Sequence, residues 1–316
     1  MAETTTTSPG AAGRTRLRSL PGVLAAGLGM GAADLVPGVS GGTVALVVGI
    51  YDRLVGAIRQ GVRALATLLR GRPRAAWLEL RAVDWPFLLV LLAGIGSAVV
   101  LLAGVLERLL VEQPVLLSAG FLGLVLGSAL VAGDEVRRPD ARELAIGVAV
   151  TLATFGLLGL RPSTVADPSV AMLVGGGAVA ICAMILPGIS GSFLLLLLGL
   201  YAPVLAAVSD RDLVTIGAVG LGAVLGLASF STLLSWLLEA HRRVVMAAIV
   251  GLLLGSLRVL WPWPAGPEGV GDTRLGAPDG QVGAALLLAA AATLLVVGVA
   301  RLAARSAGPQ APLDAT

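Results

Sequence analysis

No lysine occurs in this chain; all 22 basic residues are arginine. A G-x-x-x-x-G-K-[ST] phosphate loop is therefore excluded, which speaks against primary pumping by ATP from this chain alone. The single histidine, His241, removes the usual equipment of histidine-dependent lipid phosphatases and common metal hydrolases. The single cysteine, Cys182, has no partner for a disulfide within the chain and cannot form a metal-thiolate cluster. Charged residues are scarce at 13% and aromatics at 4%, whereas hydrophobic residues reach 57% and the mean hydropathy is +0.94. Those values lie outside the range of soluble domains and predict a polytopic membrane protein. No enzymatic activity and no cofactor are expected, with a coupling proton or sodium ion left open.

A pI near 9.9 invites a nucleic-acid reading, but the arginines sit in short loops between apolar runs, where orientation signals are expected. Nucleic acid is not an expected partner. Six runs approach the roughly 20 residues needed to cross a bilayer: 86–106, 114–132, 143–160, 213–238, 244–260 and 282–300.

Between and before these runs lie two stretches that break their own helices, "DLVPGVSGGTVALVVGIY" at 34–51 and "MILPGISGSFLLLLLGLY" at 184–201. They share L/V-P-G-V/I-S-G at the front and G-I/L-Y at the back, each match offset by 150 residues. Each is followed by three spans, and "GLVLGS" at 123–128 echoes "GLLLGS" at 251–256. The chain therefore reads as a duplication, with a tail at 1–19, one membrane repeat at 20–160, a second at 169–304 and a tail at 305–316. Before its break the first arm, 22–33, holds 12 residues, about 18 Å of helix, too short to span alone. The second element's arms, 170–186 and 191–208, are longer. If the first breaker returns to its own side, 17 of the 22 arginines fall on one face, as the positive-inside rule requires of the cytoplasmic side. Three spans per repeat then force the second repeat to insert upside down. The expected fold is an all-α polytopic membrane protein of two inverted repeats, each a broken or re-entrant helical hairpin plus three transmembrane helices, with both termini cytoplasmic.

A broken helix in lipid leaves amides and carbonyls unpaired at several kcal/mol each unless protein or a polar cavity satisfies them. Restarting after Pro37-Gly38 and Pro187-Gly188, the chain offers Ser40 or Thr43, and Ser190 or Ser192, as N-caps. Gly41, Gly42 and Gly191 leave the amides approachable, and two converging helix N-termini suit an anion, phosphate above all. The bland alternative is that each Pro-Gly pair only kinks a packed helix. Asp34 either binds a coupling proton or cation or caps the broken backbone; its counterpart in the second stretch is Met184. Arg258 in "GSLRVLWPWP" either snorkels to the interface or contacts phosphate, and Trp261 and Trp263 fit an interfacial belt. Many small residues suit close packing within one chain or between copies, so a homo-oligomer is one of the arrangements they allow.

The stretches "GAADLVPGVSGGTVALVVGIYDRL", "ICAMILPGISGSFLLLLLGLY" and "GSLRVLWPWP" resemble, in the right order, the signatures of bacterial domain-of-unknown-function family 368, associated with polyprenyl-phosphate transport. The similarity runs from about residue 21 to 304. It implies a flippase of the bacterial cytoplasmic membrane that returns undecaprenyl or decaprenyl phosphate carrier lipid to the inner leaflet for cell-envelope synthesis. The residues that match the family pattern are Asp34, Pro37, Gly38, Ser40, Gly41, Gly42, Thr43, Pro187, Gly188, Ser190, Gly191, Ser192 and Arg258. A carrier or channel for a small soluble anion is the alternative, since opposed helix N-termini serve either substrate.

Overall fold

The structure, a computed structural model, describes residues 20–34, 40–160, 165–265 and 274–306. Both expected tails lie outside those residues, apart from positions 305 and 306, which continue the last helix. Among the described residues the chain is helical, with a single isolated bridge between Pro264 and Leu275. This agrees with the all-α polytopic architecture expected.

The first half contains α1 (Leu20–Asp34), α2 (Gly41–Val47), α3 (Tyr51–Leu69), α4 (Pro73–Arg81), α5 (Trp85–Glu112), α6 (Pro114–Gly133) and α7 (Ala141–Leu157). The second contains α8 (Val170–Ile185), α9 (Gly191–Leu197), α10 (Tyr201–Asp210), α11 (Leu213–Ala240), α12 (Arg242–Ser256) and α13 (Val282–Ser306). Helix starts carry recognisable signals. Asp140 and Glu143 form a reciprocal capping box on α7, Asp212 accepts from the amides of Val214 and Thr215 on α11, and Asp84 with Pro86 opens α5.

Four helices, α5, α6, α11 and α13, are long and apolar enough to cross a membrane individually. At 17 and 15 residues, α7 and α12 are shorter than the expected spans 143–160 and 244–260. Tighter i→i−3 turns carry both further: the Leu160 amide donates to Leu157, and successive amides from Leu257 to Trp261 donate three residues back. Such turns rise about 2 Å per residue, so they recover much of the missing length.

The first helix of each half lies against that half's first long span, α1 on α5 and α8 on α11. The later helices exchange partners between halves, α6 with α13 and α7 with α12. The echoed glycines make those exchanges close. A Cβ at Gly123 would collide with the Ala289 carbonyl of α13, and one at Gly251 would lie 2.6 Å from the Gly147 carbonyl of α7. Outward, large side chains such as Leu89, Val100, Leu287 and Leu294 are exposed on α5 and α13, as a lipid-facing surface requires. Inward, Val23, Ile50, Tyr51, Phe87, Val125, Met246 and Leu253 share one core that joins the two halves.

The segment 52–86, between the first break and the first long span, is built largely of α3 and α4. Its apolar residues Leu54, Val55, Ile58, Val62 and Leu65 recur at three- and four-residue intervals among the arginines, the pattern of a one-sided helix. Ion pairs hold α3 to the ends of neighbouring helices: Arg53 to Asp84 at 2.7 Å, Arg59 to Glu239 at 2.7 Å, and Asp52 to Arg242 at 2.8 Å. Arg242 also reaches Glu135 at 2.8 Å in the 3-10 turn after α6.

Candidate substrate site at the two helix breaks

The first helix break separates α1 from α2. Pro37 and Gly38 lie outside the described residues; the flanks are described. Ser40 takes an extended conformation and caps α2, its Oγ accepting from the Gly42 amide at 3.2 Å while its carbonyl accepts from the Thr43 amide at 2.9 Å. The Gly41 amide donates to Asp34 Oδ1 at 2.6 Å. Of the two N-cap candidates, Ser40 fills the role, and Asp34 caps the same helix from across the break. A carboxylate thus already sits where an external anion would approach α2.

The second break is built differently. Pro187 and Gly188 are buried, and Gly188 adopts φ +91°, a left-handed conformation that disfavours a side chain. A Cβ there would also press on the Leu253 backbone of α12 at 3.1 Å. Ser190 is extended at the N-cap position of α9, yet its side chain accepts from no amide of the first turn. Its Oγ instead lies 2.8 Å from Ser192 Oγ, and Ser192 is exposed. Met184, the counterpart of Asp34, packs near Gly191 and offers no charge.

The two breaks meet. The Gly188 amide donates to Thr43 Oγ1 at 3.0 Å, and Ser40 Oγ donates to the Leu186 carbonyl at 3.4 Å. Side chains of the first break therefore satisfy backbone groups of the second, which is how irregular backbone survives at membrane depth. Ser40 and Thr43 are 2% and 4% exposed, so they act as internal joints. Gly42 lets the two segments approach, since a Cβ there would sit 3.2 Å from the Ile185 carbonyl.

Past each break the chain turns again. Both α2 and α9 end after seven residues at Gly49 and Gly199, with φ of +74° and +73°. In each turn the glycine amide donates to the carbonyl three residues back and the next amide to the carbonyl five back, a Schellman-type stop. The expected single arm 191–208 is thus corrected to two helices bent by 114°. The sequence signal was present in G-I/L-Y, where a glycine precedes a large apolar residue that packs back on the bundle.

Arg258 is half-buried just past α12, its guanidinium 4.6 Å from the ring centroid of Phe155 on α7 and against Gly159 just beyond that helix. Its neighbour Val259 packs with Leu158 and with Phe193 of α9. The structure brings Asp34, Ser40, Gly41, Gly42, Thr43 and Gly188 into one hydrogen-bonded unit with Leu186, whose carbonyl the sequence could not single out. Ser190, Gly191 and Ser192 open the adjoining α9, while Arg258 meets Phe155 of α7 and Gly159 just beyond it.

Comparison with known proteins fixes the family. The family model described as undecaprenyl phosphate translocase-like matches residues 30–274, which include both breaks and Arg258. The chain belongs to that family. A polyprenyl-phosphate transporter of Vibrio cholerae serotype O1 (strain ATCC 39315 / El Tor Inaba N16961) is 41% identical over 237 residues, covering 75% of this chain and 76% of that protein. A polyprenyl-phosphate transporter of Staphylococcus aureus (strain NCTC 8325 / PS 47) is 30% identical over 258 residues, covering 75% of this chain and 84% of that one. No solved structure matches. Membership in the translocase-like family agrees with the sequence resemblance and with the expectation of a transporter rather than an enzyme.

Proposed function

We propose that this chain is a flippase for polyprenyl phosphate, moving the carrier lipid across the bacterial cytoplasmic membrane by alternating access. One asymmetry between the breaks carries the reading of the site. At α2 the first amides are already taken by Asp34 and Ser40; at α9 no side chain caps the first turn, and Met184 stands where the acid would be. A phosphate arriving from outside is therefore held on the α9 side, by Ser190, Gly191 and Ser192. The hydrogen-bonded unit of Asp34, Ser40, Gly41, Gly42 and Thr43 fixes the position of that site, and Arg258, beside Val259 and Phe193, supplies countercharge. The prenyl tail stays in lipid, against the apolar flanks.

In this reading the halves are inverted and both termini are cytoplasmic, supported by the arginine distribution and by the gathering of Arg53, Arg59 and Arg242 at one end of the bundle. A cysteine-labelling result that put the 261–281 loop on the cytoplasmic side would overturn that orientation.

The direct test uses the purified chain in liposomes containing a polyprenyl phosphate, following the fraction of lipid exposed on the outer leaflet, with chloride and inorganic phosphate flux in parallel. Because Ser40 is buried in the joint, the informative variants are Ser190→Leu and Ser192→Leu. Loss of lipid movement with the protein still inserted is the expected result. Flux of a small anion without lipid movement would replace this reading with the soluble-anion carrier.

A further inference from the structure

The end of α3 and the whole of α4 serve neither break. Beyond Ala64, which is buried against α4 alongside Ala76, the helical hairpin leaves the bundle core and exposes Leu65, Leu68, Leu69, Trp77 and Leu78. The hairpin is held in shape from within: Thr67 Oγ1 donates to Glu79 Oε2 at 2.9 Å, and the Trp85 indole donates to the Leu80 carbonyl at 2.7 Å, tying α4 to the start of α5. Between the helices runs a cavity of about 220 Å³ lined by Gly61, Ala64, Leu65, Leu68, Ala76 and Trp77.

Charge lies beside this apolar edge. Residues 60–82 hold five arginines and one acid, Glu79, which already accepts from Thr67. Arg81 stacks on Trp77 with its guanidinium 5.0 Å from the ring. The other four, Arg63, Arg70, Arg72 and Arg74, are exposed and make no ion pair among the described residues, in contrast to Arg53 and Arg59 earlier on the same helix.

A soluble acidic partner would match the arginines but leave the leucines and Trp77 unsatisfied at its edge. An anionic membrane surface matches both, because phosphates sit at the level of the guanidinium groups and acyl chains lie just below. The patch also continues into exposed Trp85, Leu89 and Leu92 at the start of α5, a spanning helix. We propose that the α3–α4 hairpin is a docking site for anionic phospholipid, with Arg63, Arg70, Arg72 and Arg74 on the headgroup phosphates and the acyl chains against Leu65, Leu68, Leu69 and Trp77. This site is separate from the helix breaks and does not depend on the identity of the transported molecule.

The test uses the full chain carrying Cys182→Ser and Leu69→Cys, labelled with an environment-sensitive fluorophore. It is reconstituted in phosphatidylcholine vesicles doped at equal mole fraction with brominated phosphatidylglycerol or brominated phosphatidylcholine. Quenching at position 69 at least twofold stronger from the anionic lipid is expected, falling to equality when Arg63, Arg70, Arg72 and Arg74 are all changed to Gln. A label at Leu287→Cys on lipid-facing α13 checks insertion and should respond equally to both lipids in either background. Equal quenching at position 69 with the arginines intact overturns the anionic preference. No quenching at position 69 by either lipid, with position 287 quenched normally, would mean the hairpin faces water.

Discussion

The amide of Gly188 and the hydroxyl of Thr43, 145 residues apart in sequence, are joined by a buried hydrogen bond of 3.0 Å. Thr43→Val keeps the shape of the side chain but removes the acceptor, leaving a buried N–H without a partner. That costs about 1–3 kcal/mol. Thr43→Ser keeps the hydroxyl and should unfold close to the parent. Thermal unfolding in detergent distinguishes the two, and equal losses from both would mean that packing of the methyl, rather than the bond, holds the breaks together.

Asp34 offers a second separation of roles. Asp34→Asn retains an oxygen for the Gly41 amide, while Asp34→Ala removes it. If capping is its task, the Asn variant transports lipid at near the parental rate and the Ala variant loses about 1 kcal/mol of stability. Abolished transport in a well-folded Asn variant would assign the carboxylate to ion coupling instead.

The hydroxyl of Ser231 is fully buried on α11 and has no hydrogen-bond partner among the described residues. Ser256, equally buried, donates to the Leu253 carbonyl at 2.8 Å. Ser231→Ala should therefore hold or raise the unfolding temperature, relieving a desolvation cost of about 1 kcal/mol. Ser256→Ala should lower it. A marked loss at position 231 would indicate a bound water or ligand there.

Glycine substitutions should divide by face. Gly251→Ala drives a methyl towards the α7 backbone, whereas Gly217→Ala on exposed α11 meets open space. The first lowers the yield of folded protein. The second is neutral or stabilising by up to about 1 kcal/mol, from helix propensity alone.

Two neighbouring arginines should behave differently. Arg242 is 44% exposed and bridges the half-exposed Asp52 and Glu135, so Arg242→Gln costs under about 1 kcal/mol and the effect shrinks in high salt. Arg243 pairs with Glu143, whose side chain is only 6% exposed, and Arg243→Gln strands that carboxylate. Unfolding temperatures in low and high salt should show the larger, less salt-sensitive loss at Arg243.

How much of this was readable beforehand differs by element. The long spans were legible because apolar runs of this length have no other use, and the breaks because Pro-Gly recurs at a fixed offset in an otherwise apolar chain. The helices α3 and α4 were hidden by their arginines, which dominate composition while the apolar spacing beneath them carries the structure. The bonds of Ser40 to Leu186 and Thr43 to Gly188 follow from how two distant segments fold together, which no local pattern encodes. Asp34 was singled out as either a coupling or a capping acid, and its hydrogen bond to the Gly41 amide is a contact that no local pattern encodes.

The dependence of the second break on the first also constrains how such a chain can be divided. Without the first half, the second would carry an open amide at Gly188 and an open carbonyl at Leu186. Cutting the present chain in the connector between α7 and α8 should accordingly yield a second fragment that is short-lived in the membrane and persists only when made together with the first.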